Sequence, residues 1–243
     1  MIKHRTCIIC LPRSGSQLCE KLAAEATSAR ILGEYFENWN QSEYALKFND
    51  SLYVKKFIEQ PTELMIRENF EESINLLKQT RISQPLTVRL FLMDHYNKNT
   101  LLNIVNNLKD IGFEFLTLHR DLKEQLLSYM IALSYHISKN KMVFTINNII
   151  DEPVVVDIAS LSHVLDKVVV SSKNWDSNLS AVLKGIEYQK IKYENIHQDM
   201  ESVFDTKFRY SGKKSISGDP LGLILNKEEV LDFLSTRLES HSK

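Results

Sequence analysis

Thr6-Cys7-Ile8-Ile9-Cys10-Leu11-Pro12-Arg13-Ser14-Gly15-Ser16-Gln17-Leu18 is the stretch that decides the fold of this chain. Thr6 to Leu11 is an almost unbroken apolar run, as expected of a strand buried on both faces of a parallel sheet. Pro12 ends the ladder because it has no N–H to donate. After Ser16 the spacing turns helical, with Leu18, Cys19, Leu22, Ala23 and Ala26 on one side. A strand, a short loop and a helix in this order aim backbone N–H groups and a helix N-terminus at an anion. Gly15 lets the backbone come close, Ser14 and Ser16 add hydroxyl donors, and Arg13 adds a forked cation. An ordinary strand-to-helix turn with a serine N-cap would need no arginine. The pattern predicts a site for phosphate or a similar anion. No Gly-Lys-[Ser/Thr] follows the glycine, so an ordinary ATP or GTP hydrolase is not expected.

Working outward, 243 residues suffice for one sizeable domain, read as 1–243, with a large core. The apolar fraction of 43% and charged fraction of 25% are those of a globular protein. A net charge of -1 gives no basic face for nucleic acid, so local basic clusters are expected to serve a small anion. Cys7, Cys10 and Cys19 fall within the first strand and helix and read as small core residues. No second Cys or His pair accompanies Cys7 and Cys10, so the spacing is not that of a zinc site. This cysteine usage points to a reducing compartment. The opening Met1-Ile2-Lys3-His4-Arg5 is too short for a signal peptide, and no stretch is apolar enough to span a membrane. A cytoplasmic protein is expected.

Along the chain, Gly33 to Trp39 reads as an aromatic-rich loop. Two helices follow, Ser42 to Gln60 and Thr62 to Gln79, a helical insertion (about 42–81) longer than a plain crossover needs. Leu86 to Met93 is a second strand, Asn99 to Asp110 a helix stopped by Ile111-Gly112, and Phe113 to Leu118 a third strand. Asp121 and Glu124 form a capping box for a helix with core residues Leu122, Leu126, Met130, Leu133 and Ile137. Met142 to Ile146 and Pro153 to Ile158 read as short strands that could pair as a hairpin. Ser160 to Gly185 is mostly helix, Tyr188 to Tyr193 a strand, and Glu194 begins another helix. Tyr210 to Pro220 is a loop rich in turn residues, and Asn226 caps a last helix from Lys227 to Leu238. Alternating strands and helices give an α/β fold: a central, mainly parallel sheet flanked by helices in three P-loop-like layers. Its ligand crevice lies beyond the carboxyl ends of the strands.

Arg120 falls at that end, just past the third strand, and Ser128 lies on the next helix in line with Gln125 and Ala132, away from the leucine stripe. An arginine and a hydroxyl so placed could clamp a second phosphate, although spacing alone favours a surface Arg and a solvated Ser. Arg89 is unusual inside a strand and should reach the crevice or an ion-pair partner.

As an ordered set, these residues resemble the sulfotransferases that use 3′-phosphoadenosine 5′-phosphosulfate (PAPS). Pro12 to Ser16 looks like the family's 5′-phosphosulfate loop, and Arg120 with Ser128 like its 3′-phosphate motif. The bacterial carbohydrate branch, trehalose-type sulfotransferases included, is closer still, since Glu34-Tyr35-Phe36 matches its Glu-aromatic-aromatic motif. The resemblance spans roughly residues 6 to 128. It implies a PAPS donor, 3′-phosphoadenosine 5′-phosphate (PAP) as product, and a small-molecule or carbohydrate hydroxyl as acceptor. Arg13, Ser14, Gly15, Ser16, Gln17, Arg120 and Ser128 would hold the donor. Tyr193, in a Tyr-Glu pair the family often carries after a late strand, would lie near the adenine. Lys213 and Lys214 stand where the family has a basic closing loop, although its Arg-Lys-Gly order is absent. By family position Glu34 is the base and Arg13 stabilises the leaving phosphate, with Glu37 and His95 as other candidates for the base. Tyr35, Phe36 and Trp39 would stack on an acceptor or join the core. The implied mechanism needs no metal, and a homodimer is compatible with it. Two other functions fit the residues: a nucleotide-dependent phosphoryl transferase, disfavoured by the missing P-loop lysine, and a non-catalytic PAP-binding protein.

Overall fold

The computed structural model describes residues 5–33, 35–36, 73–75, 77–79, 85–93, 98–139, 150, 152–209 and 219–239. The opening run forms β1 (Arg5–Cys10), in which every residue is buried. Helix α1 (Ser16–Thr27) follows the loop, and β2 (Arg30–Ile31) follows α1. Next come β3 (Leu86–Phe91), α2 (Lys98–Asp110), β4 (Glu114–His119) and α3 (Leu122–Lys139). The last part holds α4 (Ile158–Lys173), α5 (Trp175–Val182), β5 (Tyr188–Lys192), α6 (Ile196–Phe204) and α7 (Lys227–Glu239).

The five strands form one parallel sheet in the order β2-β3-β1-β4-β5. The fold is therefore α/β, as the alternation of strands and helices predicts. Centrality explains the composition of β1: flanked by β3 and β4 and covered on both faces, it can be apolar throughout. The connection leaving β1, which carries α1, runs past β3 to β2, whereas the one from β3 to β4, which carries α2, and the one from β4 to β5 run the opposite way. Right-handed crossovers in opposite directions put α1 and α2 on opposite faces and open a crevice between the β1 and β4 tips. On one face α1 packs against α6, and elsewhere α2 packs against α5 and α3 against α4.

Most boundaries lie within one or two residues of those expected. Gly112, at φ 84°, ends α2 with its N–H on the Lys109 carbonyl at 2.9 Å and the Phe113 N–H on Leu108 at 2.9 Å. The strand β2 has no counterpart in the sequence reading, because two residues are too few to show a period. The stretch 153–158 differs from the strand expected there: Val154 makes a single parallel bridge to Ile224, and Ile158 already begins α4. Asn226 stands at the start of α7, where its carbonyl accepts from the Val230 N–H at 3.2 Å and its amide donates to Glu229 Oε2 at 2.7 Å, and it does more besides. Its side-chain amide accepts from the Val156 N–H and donates to the Val156 carbonyl, both at 2.9 Å, extending that bridge by one rung. Arg5 opens a buried strand because its guanidinium donates to the Ile111 carbonyl at 3.1 Å and lies 5.7 Å from the Phe113 ring centroid. Cys7, Cys10 and Cys19 are buried core thiols, and burial pushes those of Cys7 and Cys19 well up, away from the reactive thiolate. Among the described residues, no helix is long and apolar enough to cross a membrane. The expected helices of the insertion fall mostly outside the described residues, as does 142–146; 73–75 and 77–79 are helical.

Candidate functional site

The loop between β1 and α1 is held in a shape that costs backbone energy. Arg13 has φ 61°, in the left-handed region that a residue with a Cβ enters at about 1–2 kcal/mol. Gly15, at φ 91° and ψ 19°, sits at the N-cap of α1, and its carbonyl accepts from the N–H groups of Leu18 (3.0 Å) and Cys19 (3.1 Å). A glycine N-cap brings no side-chain acceptor, so no side chain caps the N-terminus of α1. Ser14 beside it is 1% exposed, and its hydroxyl has no hydrogen-bond partner among the described residues. An unpartnered buried hydroxyl next to uncapped helix N–H groups is a donor set that fits an anion.

The helix α3 grips this loop from the side. Gln125, Ser128 and Ala132 are all buried, so the face away from the leucine stripe meets protein rather than water. Gln125 Nε2 donates to the Pro12 carbonyl, one residue before the strained arginine. Ser128 Oγ accepts from Arg13 Nε at 3.3 Å and Nη2 at 3.2 Å. Sequence spacing paired Ser128 with Arg120; in the fold the hydroxyl lies against Arg13. Burial, then the nearby charge of Arg120, lowers the Arg13 guanidinium to about 10, while Tyr129 and Tyr193 act weakly the other way.

Arg120 reaches the same loop from the β4 tip. Its Nη1 donates to the Arg13 carbonyl at 3.0 Å, its guanidinium lies 4.4 Å from the Tyr193 ring centroid, and Glu124 stands 3.9 Å from Nη2. The Arg120 Nε is buried with no hydrogen-bond partner among the described residues. Tyr193, just past β5, lies so close to Gly15 that a Cβ built there would stand 2.2 Å from two ring carbons. The next residue, Glu194, accepts from the Asp121 N–H at 3.0 Å, while Asp121 accepts from the Glu124 N–H at 3.0 Å. The expected capping box is thus half formed, with Glu194 in the place of the Glu124 carboxylate. Tyr193 and Glu194 together join β5 to the loop and to the start of α3.

On the other side of the loop a polar cluster is sealed in the core. Arg89 Nε is 2.7 Å from Glu20 Oε2, and Arg89 Nη1 donates to Ser16 Oγ at 3.3 Å. Glu20 Oε1 also accepts from the Gly33 N–H at 2.9 Å and from Thr87 Oγ1 at 3.3 Å. Burial raises the Glu20 carboxyl, and Arg89 opposes it. Arg89 thus meets the ion-pair partner that its position in a strand implied.

Of the expected site residues, the fold gathers Arg13, Ser14, Gly15, Ser16, Arg120, Ser128 and Tyr193 around the β1 and β4 tips, with Gln17 half-buried in the first turn of α1. Glu34, Glu37, Trp39, His95, Lys213 and Lys214 lie outside the described residues. Tyr35 is a core residue: it is buried, its hydroxyl donates to the Ser73 carbonyl at 3.4 Å, and Phe36 packs edge-on at 5.2 Å. Gln125 and Glu20 have structural roles at the site that the motif pattern passed over, and Glu194 of the Tyr-Glu pair has one that the pattern did not specify. The signal for Gln125 was its place three residues before Ser128 on one helical face.

No family model matches the chain, and no curated protein matches it. Among solved structures, it is similar to a sugar kinase from Janibacter (TM-score 0.42, 10% identity, 84% of this chain and 93% of that one). It is also similar to the structure described as the PezAT toxin-antitoxin system of Streptococcus pneumoniae (TM-score 0.39, 13% identity, 98% and 86%). A sulfotransferase domain from the Synechococcus olefin synthase gives a TM-score of 0.38 at 12% identity over 90% of this chain and 79% of that one. Likeness at this level leaves the choice of chemistry to the site residues.

Proposed function

We propose that this chain is a PAPS-dependent sulfotransferase that moves a sulfuryl group to a hydroxyl of a small molecule or carbohydrate. The observation that carries the reading is the convergence of Arg13, Arg120 and the unpartnered Ser14 hydroxyl at the N-terminus of α1. Two neighbouring guanidiniums repel each other, so a multiply charged anion beside them would relieve a cost present in the fold. PAPS, when bound, supplies an activated sulfuryl group whose departure leaves a phosphate. Arg13 and the first N–H groups of α1 are placed to stabilise the charge that grows on that phosphate. Ser128 and Gln125 hold Arg13 and Pro12 so that little reorganisation is needed as the charge develops. Tyr193 leaves room at the loop only for a backbone without Cβ and offers an aromatic surface next to it.

Isothermal titration with PAP, set against ATP with Mg²⁺, tests the donor. Tighter binding of ATP would replace the sulfotransferase reading with a phosphoryl transferase. Sulfation of no compound in a hydroxyl-acceptor screen, with PAP still bound, would make the protein a binder without turnover.

Two substitutions separate donor binding from chemistry. Arg120→Ala is expected to weaken PAP by roughly 1.5–3 kcal/mol through loss of a charge-assisted contact, read from the dissociation constant. Glu34→Gln is expected to leave PAP affinity intact and reduce turnover on the order of 10²-fold or more, because the acceptor hydroxyl then lacks its base. Full activity of that variant would move the base to Glu37 or His95.

A further inference from the structure

The sealed cluster behind the loop has more order than a buried ion pair needs. Arg89 is 5% exposed and Glu20 2%, so both charges are out of water, an arrangement often no better for stability than apolar packing. Each instead holds a group at the edge of the site. Arg89 Nη1 donates to Ser16 Oγ. A serine hydroxyl has one proton to give, and accepting from Arg89 leaves that proton to point elsewhere. Ser16 stands in the first turn of α1, beside Ser14 and the uncapped N–H groups. Glu20, meanwhile, fixes Arg89 through one carboxylate oxygen and the Gly33 N–H through the other. The Gly33 carbonyl accepts from the Arg89 backbone N–H at 2.7 Å, so the peptide groups on both sides of Gly33, at φ 69°, are held by the same pair.

We propose that Arg89 and Glu20 are positioning residues that keep the Ser16 hydroxyl a donor toward the bound anion while anchoring the Gly33 turn, so that the donor loop and the chain entering the Glu34 motif are set by one buried link. This rests on the anion-binding part of the sulfotransferase reading. The link acts on Ser16 through orientation: with Arg89 absent, the hydroxyl is at liberty to turn back and satisfy itself on the helix, and the anion loses a donor.

The test is a double-substitution cycle read by anion affinity. Wild type, Ser16→Ala, Arg89→Lys and the double variant are titrated with PAP and with inorganic pyrophosphate, after circular dichroism has shown each to be folded. Lysine keeps a positive charge for Glu20 but has no fork to reach Ser16 as well. Ser16→Ala and Arg89→Lys are each expected to weaken binding about tenfold, and the double variant no further than either, because both remove the same donor. A residue that only stabilised the fold would lower the melting temperature without such coupling. Should Arg89→Lys not fold, Glu20→Gln takes its place in the cycle with the same expectation. Unchanged affinity, or losses that multiply, would overturn the link. Pyrophosphate binding without PAP binding would overturn the nucleotide reading, with the cycle on pyrophosphate still deciding this one. Binding of neither anion overturns both.

Discussion

Arg13→Ala is expected to lower kcat/KM by on the order of 10³-fold while the protein stays folded, the loss typical of removing a preorganised donor to a developing oxyanion. The size follows from where the guanidinium stands. It is held by Ser128 from α3, it shares the loop with Arg120, and burial has stripped much of its water. A cation in that setting acts on a nearby charge far more strongly than one in solvent. The substitution keeps a Cβ at φ 61° and so keeps the backbone strain, but it relieves repulsion toward Arg120 as it removes the contact with Ser128, so thermal stability should change little although activity falls. The pH dependence gives a second readout. Arg13 is lowered to about 10, so the folded loop loses its proton there, well below an ordinary arginine. The charged form is the one that attracts the anion. PAP affinity should therefore be full below that pH and fall above it, by up to roughly tenfold per pH unit. Arg13→Ala should lack this limb. An alkaline decline of equal slope in the variant would assign the titration to another group and remove the argument for Arg13.

Gly15→Ala should be strongly damaging although it adds a single carbon. The new Cβ would stand 2.2 Å from two carbons of the Tyr193 ring, closer than any real contact, and φ 91° is strained for alanine even in open space. Overpacking of this kind costs about 1–3 kcal/mol, and the backbone adds about 1–2 kcal/mol. The ring cannot simply swing aside, because the Arg120 guanidinium lies over its face and Arg120 is itself tied to the Arg13 carbonyl. Displacing Tyr193 therefore disturbs the second cation as well, and PAP binding is expected to fall below detection in a calorimetric titration. Adding Tyr193→Ala should return the steric share of lost stability and leave only the backbone share. If the double variant is no more stable than Gly15→Ala alone in a urea melt, the contact with Tyr193 is not what excludes a side chain there.

The central strand was legible because burial on both faces leaves one plain mark, a run such as Cys7-Ile8-Ile9-Cys10 that no half-exposed element would carry. The loop was legible for a related reason, since Pro12, Arg13 and Gly15 each have local backbone or charge consequences. What spacing cannot show is which element comes to lie against which. Ser128 was placed on the correct face of α3, but its partner depends on how α3 lies across the β1 loop, and that is decided by strand order. Glu20 sits beside Cys19 with nothing nearby in sequence to explain it; the explanation is Arg89, on a strand far along the chain. The run Pro153 to Ile158 has the composition of a strand yet, among the described residues, its backbone bridges to Ile224 alone, and the next rung comes from the Asn226 side chain. Propensity stated what the segment could do, and the supply of partners set what it did.

The chain leaves the sheet at Gly33, after the outermost strand β2, and returns at Pro85 on its immediate neighbour β3. Of the residues between them, Tyr35, Ile74 and Leu77 are buried in the core; doubling the length of a flexible connection costs only about 0.6 kcal/mol in general. The tips of β1 and β4 have no share in that excursion. A change of length between two adjoining strands can therefore be absorbed while the anion loop stays fixed, so a scaffold of this kind tolerates insertion at that edge without moving the loop.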